Sequence, residues 1–169
     1  MTSLSPHLFS SVQTCLSTDQ RTLIADIQTI MSHLQKNNLS DYSFLVAPAA
    51  KAYEGYLKDF FLKIGIITPQ DYQSDRFRVG KTLNPSLRYK RFSIFQKLID
   101  MGPAGEQLAE QLWDGWKRGR NRIFHYFPDK VQKLTLEEAK DRIALLLTAI
   151  KNSHNFLISL KNYQNQPVL

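Results

Sequence analysis

Cysteine is almost absent from this chain. The single thiol, Cys15, excludes an internal disulfide and a zinc site built from cysteines. Its mixed polar and apolar neighbours read as the setting of a small core filler rather than a nucleophile. Long apolar runs are lacking too: no stretch approaches the roughly 18 to 20 consecutive apolar residues of a membrane span. The first 30 residues lack the basic start and unbroken apolar centre of a secretory leader, so the chain is expected to be soluble and cytoplasmic. There is no convincing period-two alternation, so no sheet is expected, and there is no internal repeat. Other enzyme templates are missing as well: no Gly-rich phosphate loop, no His-Glu-x-x-His, no paired-histidine metal spacing, and no local signature around a serine nucleophile. Neither a metal nor a cofactor is expected.

What is present is ordinary for a folded domain and skewed in charge. With 169 residues, 43% hydrophobic and 11% aromatic, one helical domain spanning residues 1–169 is expected, all-α, with a sizeable aromatic-rich core and a polar tail from about residue 162. Twenty-two lysines and arginines against 15 acids leave a formal net charge of +7, a balance that favours anionic partners, nucleic acid or an acidic protein.

Along the chain, residues 5–16 predict a short first helix with Pro6 in its opening turn. Ser17 and Gln20 form a capping box for an amphipathic core helix carrying Leu23, Ile24, Ile27, Ile30, Met31 and Leu34, with Asn37-Asn38 as its stop. A further helix is expected over about residues 43–64, with Tyr53, Tyr56, Leu57, Phe60, Phe61 and Ile64 on one side. Glu54 projects to the edge of that side, about 20° beyond Phe61, while Lys51, Lys58, Asp59 and Lys63 fall mostly on the far, solvated face. The plainer reading of Glu54 is a rim glutamate with its tip in water. Thr68-Pro69-Gln70-Asp71 opens a short helix or turn. From Arg76 to Lys97 come seven basic residues, Arg88, Lys90 and Arg91 among them, without an acid and interleaved with Phe77, Tyr89, Phe92 and Phe95. Such a stretch, loop-rich between residues 78 and 87, suits a phosphate backbone with stacked bases, or else is a solvated connector whose aromatics pack down. Phe92, Phe95, Leu98 and Ile99 are assigned to a core helix. Thr135 and Glu138 form a last capping box, opening a long helix with the stripe Ile143, Leu146, Leu147, Ile150 and Leu157; His154 beside it reads as packed or hydrogen-bonded.

The most informative stretch is Trp113–Pro128. A helix over about residues 104–124 places Leu108, Leu112, Trp116 and Ile123 within a quarter turn, widened by Ala109, Trp113 and Phe124. Arg118 and Arg122 point away from this arc, but Arg120 falls inside it. A guanidinium stays charged, and an unpaired buried charge costs several kcal/mol, so Arg120 needs a carboxylate, a phosphate or a wet cleft. His125 follows near the helix-stopping Pro128.

Arg120-Asn121-Arg122-Ile123-Phe124-His125 resembles the signature of the HEPN superfamily: an arginine, a polar residue next to it and, after a short spacer, a histidine. A second stretch, Ala49-Ala50-Lys51-Ala52-Tyr53-Glu54-Gly55-Tyr56-Leu57, resembles a helix of RNase LS-type toxins, which carries small residues, an aromatic, Glu-Gly, then an aromatic or aliphatic pair. The likeness covers roughly residues 43–128. It implies a helical bundle of HEPN type and a metal-independent endoribonuclease toxin that works as a homodimer, in a toxin–antitoxin or phage-defence setting, with an antitoxin protein as a further partner. It assigns Glu54 to the active site with Arg120 and His125, and gives RNA as substrate, cut to a 2′,3′-cyclic phosphate and a 5′-hydroxyl.

Elementary chemistry is compatible with those roles. RNA brings its own nucleophile, so cleavage needs a proton acceptor, a proton donor and positive charge. Histidine transfers protons near neutral pH, and arginine clamps phosphate oxygens. Glu54 would orient Arg120, tune His125 or serve as base. Asn121 would support the phosphate and Tyr126 would stack on a base or simply pack; Arg118, Arg122, Arg88, Lys90 and Arg91 would hold the RNA backbone. One geometric difficulty stands: on an unbroken helix, residues five apart diverge by about 140°, so either the helix loosens before Pro128 or two copies complete the site. The alternative is a non-catalytic helical module that binds nucleic acid or a partner protein.

Overall fold

The computed structural model of the chain describes residues 4–34, 39–125, 128 and 132–164. Among these residues the secondary structure is helical, without a strand. Nine helices follow one another among the described residues: α1 (Pro6–Val12), α2 (Thr18–His33), α3 (Val46–Lys63), α4 (Pro69–Gln73), α5 (Val79–Thr82), α6 (Ile94–Ile99), α7 (Pro103–Trp116), α8 (Arg122–Phe124) and α9 (Leu136–Gln164). A wide π turn, Lys117–Asn121, joins α7 to α8, and short 3₁₀ turns cover Ser43–Leu45 and Pro85–Leu87.

The local signals explain most helix starts. The Ser17 hydroxyl accepts from the Gln20 amide while the Gln20 side chain accepts from the Ser17 amide, closing the expected capping box. Thr68 with Asp71, and Thr135 with Glu138, do the same for α4 and α9. Amide donors hold the Asp71 and Glu138 carboxyls below their ordinary values, the backbone of the capping threonine being the larger cause in each. Asn37-Asn38, the expected stop of α2, lies outside the described residues.

α3 is the central element. It packs against α2 on one side and α9 on another, while α9 also contacts α7 and α1. Tyr53, Leu57, Phe60 and Phe61 from α3 meet Ile24 and Ile27 of α2, Leu112 of α7 and Ile143 of α9 in a fully buried core. Phe60 anchors its aromatic part, stacking near-parallel to Tyr56 and edge-on to Phe156 at centroid distances of 6.3 and 6.5 Å. Inside this core the Tyr53 hydroxyl donates to the Leu112 carbonyl at 2.8 Å, tying α3 to α7; burial pushes its pKa well up, so it stays a donor. Cys15 is buried as a core filler, and burial raises its thiol pKa.

Four expectations need correction. The motif helix is not one helix over residues 104–124: α7 ends at Trp116 and the chain widens over Lys117–Asn121 before α8. The stretch between residues 78 and 87 is not loop-rich: α5 occupies Val79–Thr82 and a 3₁₀ turn Pro85–Leu87. Phe92 lies outside α6 and is 41% exposed beneath Lys81, instead of joining Phe95 and Leu98 in the core. Finally, the stretch Leu136–Asn162 does have the length and apolar composition of a membrane span, with half of its most apolar window buried inside the bundle.

Glycine permits the closest packing near the π turn. A Cβ on Gly119 would sit 2.6 Å from Leu146 Cδ2 of α9, far inside contact distance. Gly119→Ala should therefore lower stability by about 1–3 kcal/mol, the usual cost of overpacking, read as a lower denaturant midpoint at unchanged m-value.

A second clip joins the approaches to α3 and α9. Asp41 Oδ1 accepts from the Ser43 amide and hydroxyl and from the Leu134 amide at 2.9, 2.6 and 3.0 Å, and the Tyr42 amide donates to the Leu134 carbonyl. Burial pushes the Asp41 carboxyl up, but the hydrogen bonds from Ser43 and Leu134 outweigh it and leave its pKa lowered. A folded pKa below the unfolded value contributes stability above about pH 4, which is lost as pH falls through the folded value. Asp41→Asn should reduce stability at neutral pH and flatten its decline below about pH 4, checked by urea unfolding across pH 2–7.

Candidate functional site

One face of α3 and the π turn enclose a cleft of about 410 Å³, lined by Ala47, Ala50, Lys51, Glu54, Arg120, Asn121, Phe124 and His125. α3 supplies the first four residues at helical spacing, so their side chains share one strip. Ala47 and Ala50 are small and leave the space open.

Arg120 is held on two sides. Its Nη2 lies 3.1 Å from Glu54 Oε2, and its guanidinium carbon stands 4.5 Å from the centre of the Trp116 ring. The indole is 5% exposed and so forms a fixed platform. The two ion-pair partners keep 36% (Arg120) and 31% (Glu54) of their side-chain surface in solvent. The guanidinium thus stands at a wet border over an aromatic face, with a carboxylate beside it.

His125 reaches the same cleft because the chain leaves α-helical geometry twice. Over Lys117–Asn121 the turns are wider, with the Arg122 amide reaching back five residues to the Lys117 carbonyl. At His125 the backbone becomes extended, with φ −97° and ψ 129°. The 140° divergence of an unbroken helix does not apply, and Arg120 and His125 line one cavity within a single chain. His125 Nε2 and Asn121 Oδ1 are 2.7 Å apart. With the amide oxygen accepting, Nε2 carries the proton and Nδ1 the lone pair.

Glu54, Arg120, Asn121 and His125 therefore converge. The remaining candidates do not. Arg118 pairs with Asp114 at 2.9 Å on the exposed side of the turn, and Arg122 is exposed outside the cleft lining. Arg88, Lys90 and Arg91 lie on exposed chain after the 3₁₀ turn Pro85–Leu87, with Arg88 over the ring of the 82%-exposed Tyr89. Tyr126 lies outside the described residues. The basic stretch does touch the cleft's support: Gly80 of α5 lies flat against the Trp116 indole, where a Cβ would clash with Nε1. Beside α5, Arg76, Arg78, Lys81 and Phe92 line a smaller hollow of about 230 Å³.

Three contributors escaped the sequence pattern. Lys51 projects to a solvated face on the wheel but lines the cleft. Trp116 reads as one more apolar stripe residue but carries Arg120. Phe124 reads as core but is 46% exposed at the cleft wall. Among the described residues no group of three histidine, cysteine, aspartate or glutamate side chains is placed to hold a metal ion.

No known family model, curated protein or solved structure matches this chain.

The Glu54–Arg120 pair is open to water on both sides, so its contribution to stability is small. Glu54→Gln should change the unfolding free energy by less than about 1 kcal/mol, measured by denaturant titration, which makes it a clean probe of chemistry rather than folding.

Proposed function

We propose that this chain is a metal-independent endoribonuclease of HEPN type, a toxin of a toxin–antitoxin or phage-defence system acting in the cytoplasm. The observation that carries the reading is the meeting of an aromatic-mounted, carboxylate-paired guanidinium and an amide-paired imidazole in one open cleft. In this reading a ribose 2′-oxygen attacks the adjacent phosphorus, giving up its proton to His125. The bond from phosphorus to the 5′-oxygen breaks, and that oxygen takes up a proton from water, to which His125 returns the one it accepted. The products are a 2′,3′-cyclic phosphate and a 5′-hydroxyl. Arg120 stabilises the extra negative charge on the phosphorane oxygens, where a fixed planar donor pair acts best. Glu54 and Trp116 hold the guanidinium in place, and Asn121 sets the imidazole tautomer. The net charge of +7 and the exposed basic, aromatic stretch containing Arg88, Lys90 and Arg91 support RNA as the substrate. A homodimer through the motif helices, with Phe124 at the contact, and restraint by an antitoxin complete the proposal.

One observation favours a second reading. Arg120 already has a carboxylate partner within the chain, as it would in a non-catalytic helical module that binds nucleic acid or another protein through its basic stretch.

Labelled RNA incubated with pure protein and excess chelator separates the two. Cleavage with cyclic-phosphate ends is expected, and Arg120→Ala and His125→Ala should each lower the rate at least about 100-fold while leaving the circular-dichroism spectrum and thermal midpoint in place. Undiminished cleavage by either variant refutes the catalytic assignment; RNA bound but uncut selects the binding module.

A further inference from the structure

We infer that Lys51 is a substrate-positioning residue that holds the phosphate next to the scissile one, so that the cleft takes single-stranded RNA of at least three nucleotides. The inference rests on the endoribonuclease reading for its substrate. Its basis is the charge in the cleft. Arg120 is offset by Glu54, whereas Lys51 has no carboxylate within ion-pair distance and no hydrogen-bond partner among the described residues. Its ammonium therefore carries the excess positive charge of the Lys51, Glu54 and Arg120 set. An incoming anion meets no competitor for it, while the guanidinium is shared with an acid.

Position separates the two cationic tasks. Lys51 lies three residues before Glu54, about 4.5 Å along the helix, and so one turn away from the pair that faces the reacting phosphorus. Ala47 and Ala50, small residues on the same strip of α3, leave that part of the cleft open, and about 410 Å³ is enough for a nucleotide with a neighbouring phosphate. A lysine is suited to this task, because a flexible point charge holds a phosphate without imposing the bidentate geometry that arginine would.

The test uses the full chain and Lys51→Ala, an exposed helical position where alanine is well tolerated. On a trinucleotide with two phosphates, KM should rise roughly tenfold, the size of one charge-assisted hydrogen bond, with kcat little altered; on a dinucleoside monophosphate the rise should be much smaller. Lys51→Arg should restore most of the loss. In parallel, a 2′-O-methyl trinucleotide is titrated against wild type and Lys51→Ala at several salt concentrations, and the variant's slope of log affinity against log salt should be shallower by about 0.7. Equal losses on both substrates, or an unchanged salt slope, overturn the inference. Should wild type cleave nothing, the endoribonuclease reading fails by itself, and the uncleavable ligand still decides whether Lys51 holds a phosphate.

Discussion

A permanent positive charge at the margin of an apolar core is the constraint around which this molecule is arranged. Arg120 cannot lose its proton, and α7 and the π turn direct it toward α3 rather than into open solvent. Two neighbours make that position tolerable: the face of Trp116 beneath the guanidinium and the Glu54 carboxylate beside it. Each supplies what the other lacks. The indole leaves the charge without a counterion, and an exposed ion pair without a rigid platform holds no fixed geometry.

The platform depends on packing at some distance from the cleft. Trp116 is buried because the α5 backbone at Gly80 lies against one edge of its ring. The wide turn that follows is held against α9 through Gly119 and Leu146, and α7 is tied to α3 by the Tyr53 hydroxyl. Placement of the candidate catalytic groups thus draws on α3, α5, α7 and α9 together. The basic stretch and the cleft thus share a packing contact, Gly80 against Trp116.

Charge in the cleft is divided in a way that suits a polyanion. The guanidinium is compensated within the chain by Glu54, while the Lys51 ammonium one turn away has no carboxylate partner among the described residues. Farther out, the exposed arginines and lysines around Tyr89 and Phe92 extend the same sign of potential over the surface. Arg88 lies over the ring of Tyr89 and Lys81 over that of Phe92, so these exposed rings stand beside positive charge.

Much of the architecture follows from local rules that the sequence carries by itself. Each capping box pairs residues three apart, and each amphipathic stripe depends only on helical periodicity, so α2, α3, α4, α9 and the all-α class are legible without coordinates, whereas α5 and α8 are not. Glu54 at an apolar edge and Arg120 within an apolar arc are legible for the same reason. What only the folded chain decides is their meeting. The π turn depends on how closely Gly119 and Leu146 approach, a contact between residues far apart in sequence that no wheel contains, and the wheel's assumption of constant rotation then fails at the place where His125 has to be positioned. The wheel misplaces Lys51 in solvent and Phe124 in the core for a related reason: periodicity tells which side of a helix a residue occupies, but whether that side faces water, a core or a cleft is set by the helices packed around it.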